Sequence, residues 1–501
     1  MQPLLFIRSG SSGVSQRPYP EEVIIVFDPS TTPNTRKKRS QPSVAERRER
    51  GRAARKTAPR SSHGDWSPAA DRPDPVETLA AQDADRLGFL VPIRHQRMSA
   101  SAFAFYRGGA AIMANDLAGT PDSGIRAQLS GDAHLSNFGG FASPERTLVF
   151  DVNDFDETLP GPWEWDLKRL AASLVLAGRH LGLGRKGVRG VVAEGVESYR
   201  TGMHKVAAMT NLDVWYMQIS SADIRALLNS KAERKAFDKG AKKAHSRNSL
   251  HSFKKLTETV DGHPRIRSDP PLLVPLRDLA GHLSPEEGEE MVRASYEDYR
   301  KTISPELQTL LSGYELVDIA LKVVGVGSVG TRCFAALLIG RDENDPLFLQ
   351  VKEAGPAVLE SVLPPSLYKN HGRRAVEGQR LMQSFGDVFL GWSPSKVDER
   401  SYYWRQLKDM KASADIDAMD LEELTRYAGL CGFTLARSHA RSGDEVAIAA
   451  YLGKGDSFIT ALNRFAEAYA DQAEADYAAF LEAIDSGRLS SETPEESPIR
   501  S

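Results

Sequence analysis

The stretch VVGVGSVGTRCFAALL, residues 323–338, sets Gly325, Gly327 and Gly330 in a G-x-G-x-x-G spacing. Glycine lets backbone N–H groups approach phosphate oxygens with no side chain in the way. Alone the spacing says little, because any glycine-rich hairpin can match it. The residues next in the chain restrict the fold. In a dinucleotide-binding unit the glycines lead into a helix, and an acidic residue comes on the next strand. Here they lead into TRCFAALLIG, which reads as a strand, and then into LFLQVKEA, an apolar strand carrying Lys352 near its end. With SYYWRQLKDMK as a further strand and RRAVEGQRLMQSF as one helix, residues 313–411 read as a small sheet with a single helix.

A glycine hairpin between two strands, then a lysine on the next strand, resembles the nucleotide-binding lobe of kinases. A lone strand lysine is most often a solvated charge, but this one stands in the order that the resemblance requires. The resemblance implies that Lys352 contacts phosphate oxygens and that a glutamate on the following helix steadies it. Glu377 is the best placed, Glu360 the second choice, and Glu353 is too close in sequence to pair easily.

The segment SGDAHLSNFGGF, residues 130–141, supplies a second set. Asp132 and Asn137 have the D-x-x-x-x-N spacing of a kinase catalytic loop. GDAHLSN also resembles the H-G-D-x-H-x-x-N loop of aminoglycoside and choline-type kinases, with Ser130 in place of the first histidine. The resemblance implies that Asp132 accepts the proton of a substrate hydroxyl and that Asn137 holds magnesium. His134 reads as a hydrogen-bonded structural residue. Downstream, LVFDVNDFDETLPGPWEWDLKRLA places Asp154-Phe155 about a dozen residues before Asp166-Leu167, as in small-molecule kinases. Asp154 is therefore the expected second metal ligand, with Asp151 and Asp156 as alternates. Asp166 reads as an anchor for the loop at a helix start.

The two halves stand in inverted order, with the catalytic loop at 131–166 and the phosphate loop and lysine at 325–352. TLARSHARSGD, residues 434–444, resembles the helix that precedes the catalytic loop in small-molecule kinases, and it too lies near the C-terminal end. A circular permutation reconciles the three, because surface termini can be rejoined without changing packing. The fold expected is thus α+β and kinase-like. It has a small antiparallel-sheet lobe (313–411) and a large helical lobe (61–312, completed by 412–485), in permuted order. The strings FAFYRG, GDAHLSNFG, NDFDETLPGPWEWDLKRLA, VGVGSVGTRC, VKEA, VEGQRLMQ and RQLKDMK also resemble the bacterial domain-of-unknown-function family 2252, over residues 50–485. That resemblance implies a bacterial source and supplies no substrate.

Composition narrows the function classes. The net charge is -3, so the chain is no polycation made to coat nucleic acid, and nucleic acid is not an expected partner. Cys333 and Cys431 are the only cysteines, which suits a reducing, cytoplasmic setting. No apolar run reaches the roughly 20 residues of a membrane helix. Residues 1–60 include a basic run poor in apolar residues, RKKRSQPSVAERRERGRAARKTAPR, and read as a disordered tail. Residues 486–501 read as a loose end. The expected activity is ATP- and Mg2+-dependent phosphoryl transfer to a hydroxyl acceptor that the sequence does not identify. AMP transfer at the same site, or a nucleotide-binding pseudokinase serving as an interaction module, are the alternatives. Arg107, Arg405, Lys408 and Lys411 are further candidates to line the cleft.

Overall fold

Short strands frame the 130–141 segment. In a computed structural model, which describes residues 42–279, 285–394, 400–407 and 410–494, β1 (Arg126–Leu129) pairs antiparallel with β4 (Leu159–Pro162). β2 (Phe138–Ala142) pairs antiparallel with β3 (Leu148–Val152). Two loops result, 130–137 and 153–158, held side by side where Asn153 N–H donates to the Asn137 carbonyl at 2.8 Å. WEWDLKRLAASLVLAGRH forms the Trp163–His180 helix, buried on nearly every face because it runs through the centre of the larger core, its charged residues included. The Arg185–Val206, Leu421–Ala440 and Ser457–Asp485 helices pack around it.

β5 (Thr257–Val260) and β6 (His263–Ile266) form a separate hairpin. The glycine-loop region builds a six-stranded antiparallel sheet from β7 (Leu273–Pro275), β8 (Glu315–Lys322), β9 (Cys333–Ile339), β10 (Pro346–Ala354), β11 (Gly391–Pro394) and β12 (Ser401–Gln406). Their order is β11-β12-β10-β9-β8-β7. β13 (Ala412–Ser413) then joins β2. Lys352 lies opposite Cys333 on one neighbour and Tyr403 on the other. The strand alternation sends Leu347, Leu349 and Val351 into a second core with Tyr299 and Trp404. Phe348, Gln350 and Lys352 therefore share the opposite face.

The chain is mixed α+β with small antiparallel sheets, as expected. Several expected boundaries move. The sheet begins at β7, well before residue 313, and the Pro285–Arg300 helix belongs with it, because Tyr296 and Tyr299 pack on Trp404. The basic tail does not extend to residue 60. Val44–Thr57 is a helix with a Ser43–Glu46 capping box, fixed to the body by Arg47–Asp444 at 2.7 Å and by Arg55 to the Tyr451 carbonyl at 2.9 Å. The C-terminal end is tied down through residue 492. The Ser490 carbonyl meets His95 Nδ1 at 2.6 Å, and Glu492 N–H donates to the Pro92 carbonyl. Residues 1–41 and 495–501, and Lys408, lie outside the described residues. Among the described residues no helix is long and apolar enough to cross a membrane.

Candidate functional site

The loop after β1 is set by its neighbours before any chemistry is considered. Gly131 has φ +83°, and a Cβ there would lie 2.0 Å from the Glu157 carbonyl oxygen, so only glycine lets the two loops touch. The Asp166 carboxylate accepts the N–H groups of Ser130 at 2.7 Å and Gly131 at 3.0 Å. It also meets His439 Nε2 at 3.2 Å, and Tyr199 holds the other ring nitrogen of His439 at 2.9 Å. Asp166 is the loop anchor that its position suggested.

Asp132 then projects into a cleft. Arg169 holds one carboxylate oxygen, Oδ1, with Nε at 2.9 Å and Nη2 at 2.8 Å. The other oxygen, Oδ2, faces His134 Nε2 at 3.6 Å. Burial pushes the Asp132 carboxyl up to about 6, against the opposing pull of Arg169. Burial holds His134 well below the ordinary imidazole value, so its ring is neutral. Its Nδ1 accepts from Ser136 N–H, which leaves the proton on Nε2, facing Asp132. Asn137 donates its amide to the Asp132 carbonyl at 2.7 Å, so its side-chain oxygen is left as an acceptor.

Across the cleft the Lys352 ammonium reaches the 153–158 loop. It lies 3.6 Å from Asp154 Oδ1 and makes a short ion pair with Asp156, which also accepts the Tyr403 hydroxyl at 2.6 Å. Burial lowers the lysine's affinity for its proton, but Asp154 and Asp156 outweigh it and hold the ammonium well above its ordinary value. Burial likewise raises Asp156, and Lys352 and Tyr403 more than reverse that, leaving it below the usual carboxylate range. The glycine loop lies over the same space. Gly327, Ser328 and Thr331 line a cleft of about 120 Å³ with Asp132, Asp154 and Arg107. The loop is held from outside by the chain segment before residue 100, whose Leu90 and Ile93 belong to the second core. Arg86 donates to the Val329 carbonyl and Arg97 to the Gly325 carbonyl, each at 2.6 Å, and Gly325 and Gly330 have φ +69° and +90°.

Asp132, Asp154, Lys352 and the glycine loop thus converge, and Glu377 does not join them. Its ion pairs run along its own helix, to Arg380 at 3.6 Å and Arg373 at 4.0 Å. The reason is the rotation of the His371–Met382 helix. Gly378 packs against Thr158, which turns Arg374 inward to the Thr158, Asp156 and Gly355 carbonyls at 2.7–2.9 Å. Glu360 and Glu353 are also committed elsewhere, Glu360 to loop N–H groups at Ala357 and Ser366, Glu353 to Arg332 and Arg400. Asp151 is fully buried and paired with Arg437 and Ser384, which makes it a structural carboxylate.

Residues 86–483 match the profile of a family described as an uncharacterized protein conserved in bacteria, DUF2252. The chain belongs to this family. No curated protein and no solved structure matches it. In this DUF2252 chain the match spans both loops, the helix that carries His439 and most of the sheet's surroundings, so every residue lining the cleft except Gln82 falls inside it.

Arg169 and Glu157, at the DUF2252 cleft, carry no sequence signal. Arg169 stacks over Tyr106 at 3.9 Å while it grips Asp132. Glu157 accepts the Val358 N–H at 2.6 Å, and burial pushes it up to about 7. Arg405 bonds Gln350 at 2.9 Å and reaches the Asn153 carbonyl at 3.4 Å, so that candidate does border the site. Arg107 lines the cleft with its buried Nε unpaired among the described residues. Among the described residues no three His, Cys, Asp or Glu side chains gather as a metal cage. The cleft lining carries the carboxylates of Asp132, Asp154, Asp156 and Glu157, and Asn137 is not among the lining residues. A carboxylate with an amide oxygen is a donor set that would suit an ion that keeps waters and takes phosphate oxygens, which is how magnesium is usually bound.

Proposed function

We propose that the chain is an ATP- and magnesium-dependent phosphotransferase, built on a circularly permuted kinase-like fold and acting on a hydroxyl acceptor. The observation that carries this reading is the meeting of Lys352 with Asp154 and Asp156 in the cleft that Asp132 lines. The strand order β8-β9-β10-β12-β11 supports it, as does a glycine loop overhanging the same space. The permutation is supported by the seam between the Leu421–Ala440 helix and β1, where Gln128 N–H donates to Ser442 Oγ at 2.9 Å. That helix leads spatially into the Asp132 loop, although it follows it in sequence.

The roles follow from the contacts. Arg169 occupies Oδ1 of Asp132 and leaves Oδ2 to accept the acceptor hydroxyl's proton. A base with a value of about 6 is ionised at neutral pH and still holds a proton usefully. Lys352 supplies a fixed positive charge to phosphate oxygens, and N–H groups of the 325–330 loop cover them. Asn137 and Asp154 offer the oxygens for magnesium, which when bound would neutralise charge on the transferring phosphoryl group.

A second reading, a nucleotide-binding pseudokinase, draws on one observation: Lys352 is held by Asp156 and Asp154, with no glutamate from the following helix. Incubation of the purified chain with γ-labelled or α-labelled ATP and a panel of hydroxyl acceptors separates the cases. The expected result is transfer of the γ label. Transfer of the α label identifies AMP transfer. An ATP-induced rise in melting temperature without transfer of either label overturns the enzyme reading in favour of the binding module.

A further inference from the structure

The cleft lies between the glycine loop and the end of β10. Its lining on the sheet side is Glu353, Ala354 and Gly355 with the glycine loop, and it stops before Gln350 and Phe348. At about 120 Å³ it is well below the roughly 300–1,000 Å³ of small-molecule pockets. The closure has two causes. Next to Lys352 on the same strand face, Gln350 is bonded to Arg405, which reaches across to the Asn153 carbonyl. One step farther along, the face turns apolar, with Phe348, Leu337, Ala335 and Leu407 in one buried cluster. A planar base attached to phosphates at Lys352 would extend over this surface.

The surface is covered by the chain itself. In the Ser249–Leu256 helix, Leu256 is buried in the cluster and Phe253 packs against it, while Lys254, Lys255 and His251 face solvent. Gln406, where β12 ends, also reaches Ser249 at 3.4 Å. An eight-residue helix with one apolar edge is marginal alone, and holds its place through that edge. We propose that this helix is a built-in plug of the base-binding half of the cleft, so that a nucleotide seats fully only when the helix swings away. The proposal rests on the phosphotransferase reading of the same site. Phosphate groups without a base fit the resting form, and ATP competes with Leu256 and Phe253.

The test compares ATP with tripolyphosphate, the same charged group without the base. Both are titrated calorimetrically, with magnesium present, into the full wild-type chain and into Leu256→Ala and Phe253→Ala, each checked for cooperative thermal unfolding. Tripolyphosphate is expected to bind all three alike. ATP is expected to bind the variants about tenfold or more tightly than wild type, the gain when a competent state held at about 10% becomes dominant. In the wild type, ATP but not tripolyphosphate should speed amide exchange over residues 249–256. This exchange decides the matter even if a variant fails to fold. ATP affinity unchanged in both variants, with exchange at 249–256 unmoved, overturns the plug and leaves the phosphotransferase reading standing. Absence of binding by either ligand to any of the chains overturns both.

Discussion

His439 Nε2 lies 3.2 Å from Asp166 Oδ2, across 273 positions of sequence. Asp166 also accepts the Ser130 and Gly131 N–H groups, so one buried carboxylate ties the Leu421–Ala440 helix to the loop that presents Asp132. Asp166→Ala strips two largely buried N–H groups and one imidazole of their partner. Each unsatisfied buried group costs about 1–3 kcal/mol, so a loss of roughly 3 kcal/mol or more is expected in chemical denaturation. Asp166→Asn keeps one acceptor oxygen and should lose less. Equal stability of Asp166→Ala and wild type would show that water replaces the carboxylate and that the loop needs no anchor.

Removing the proposed base would separate chemistry from binding. Asp132→Ala leaves Lys352 and the glycine loop in place, so ATP affinity should stay within a few-fold of wild type. General base catalysis is worth about 10²–10⁴ in rate, and kcat should fall at least about a hundredfold. The comparison is kcat against the Kd for ATP. Full activity in Asp132→Ala would remove Asp132 from the mechanism.

Under the proposed mechanism, acid should silence transfer near the Asp132 value. The working form is the carboxylate, so kcat/KM is expected to fall as pH drops through about 6, where an ordinary aspartate would still be ionised. The effect on stability has the opposite sense. The folded chain binds this proton more tightly than the unfolded chain does, so the Asp132 contribution to stability declines as pH rises from about 4 to about 6. A pH–rate profile and unfolding midpoints across that window test both signs. In Arg169→Met the guanidinium no longer opposes burial, so the acid limb should move to higher pH.

The residues legible in the sequence were those whose chemistry fixes a local spacing. Asp132 and Asn137, then Asp154 and Asp166, lie within single loop-and-helix segments, and Lys352 follows its glycine hairpin directly. Backbone connectivity alone carries such positions to their places. Glu377 illustrates what spacing leaves open. A helix residue faces the cleft or not according to the rotation of the whole helix, and a one-residue step turns it by about 100°. That rotation is set by Gly378 meeting Thr158, a contact between segments far apart in sequence. Tyr299 on Trp404, and Leu256 under Phe348, are likewise long-range packing choices without a local motif. Arg169 is hidden for another reason: on the Trp163–His180 helix its charge is indistinguishable in sequence from a solvated one, and only burial beside Asp132 gives it a task.

Lys352 provides the sharpest check on the electrostatics of the cleft, because its ammonium is almost wholly buried while Asp156 and Asp154 are about a quarter to a third exposed. Lys352→Met leaves Asp156 with the Tyr403 hydroxyl, the Ser328 hydroxyl at 3.5 Å and the nearby Arg405 as favourable neighbours. Breaking a buried pair costs about 3–5 kcal/mol, and the partial exposure of the carboxylates places this loss at or below the lower end. Asp156→Asn alone should cost less, since Asp154 still faces the ammonium. If the two charges stabilise each other, Lys352→Met/Asp156→Asn will be more stable than the sum of the single losses predicts, by about 1–3 kcal/mol. The sign also shows in pH. The depressed Asp156 value adds stability above the ordinary aspartate range, and that contribution is lost as pH falls through the folded value. Lys352→Met should flatten this acid dependence. Additive single losses together with an unchanged acid limb would mean that the two groups touch without coupling, and that Lys352 is free to turn to phosphate at little cost.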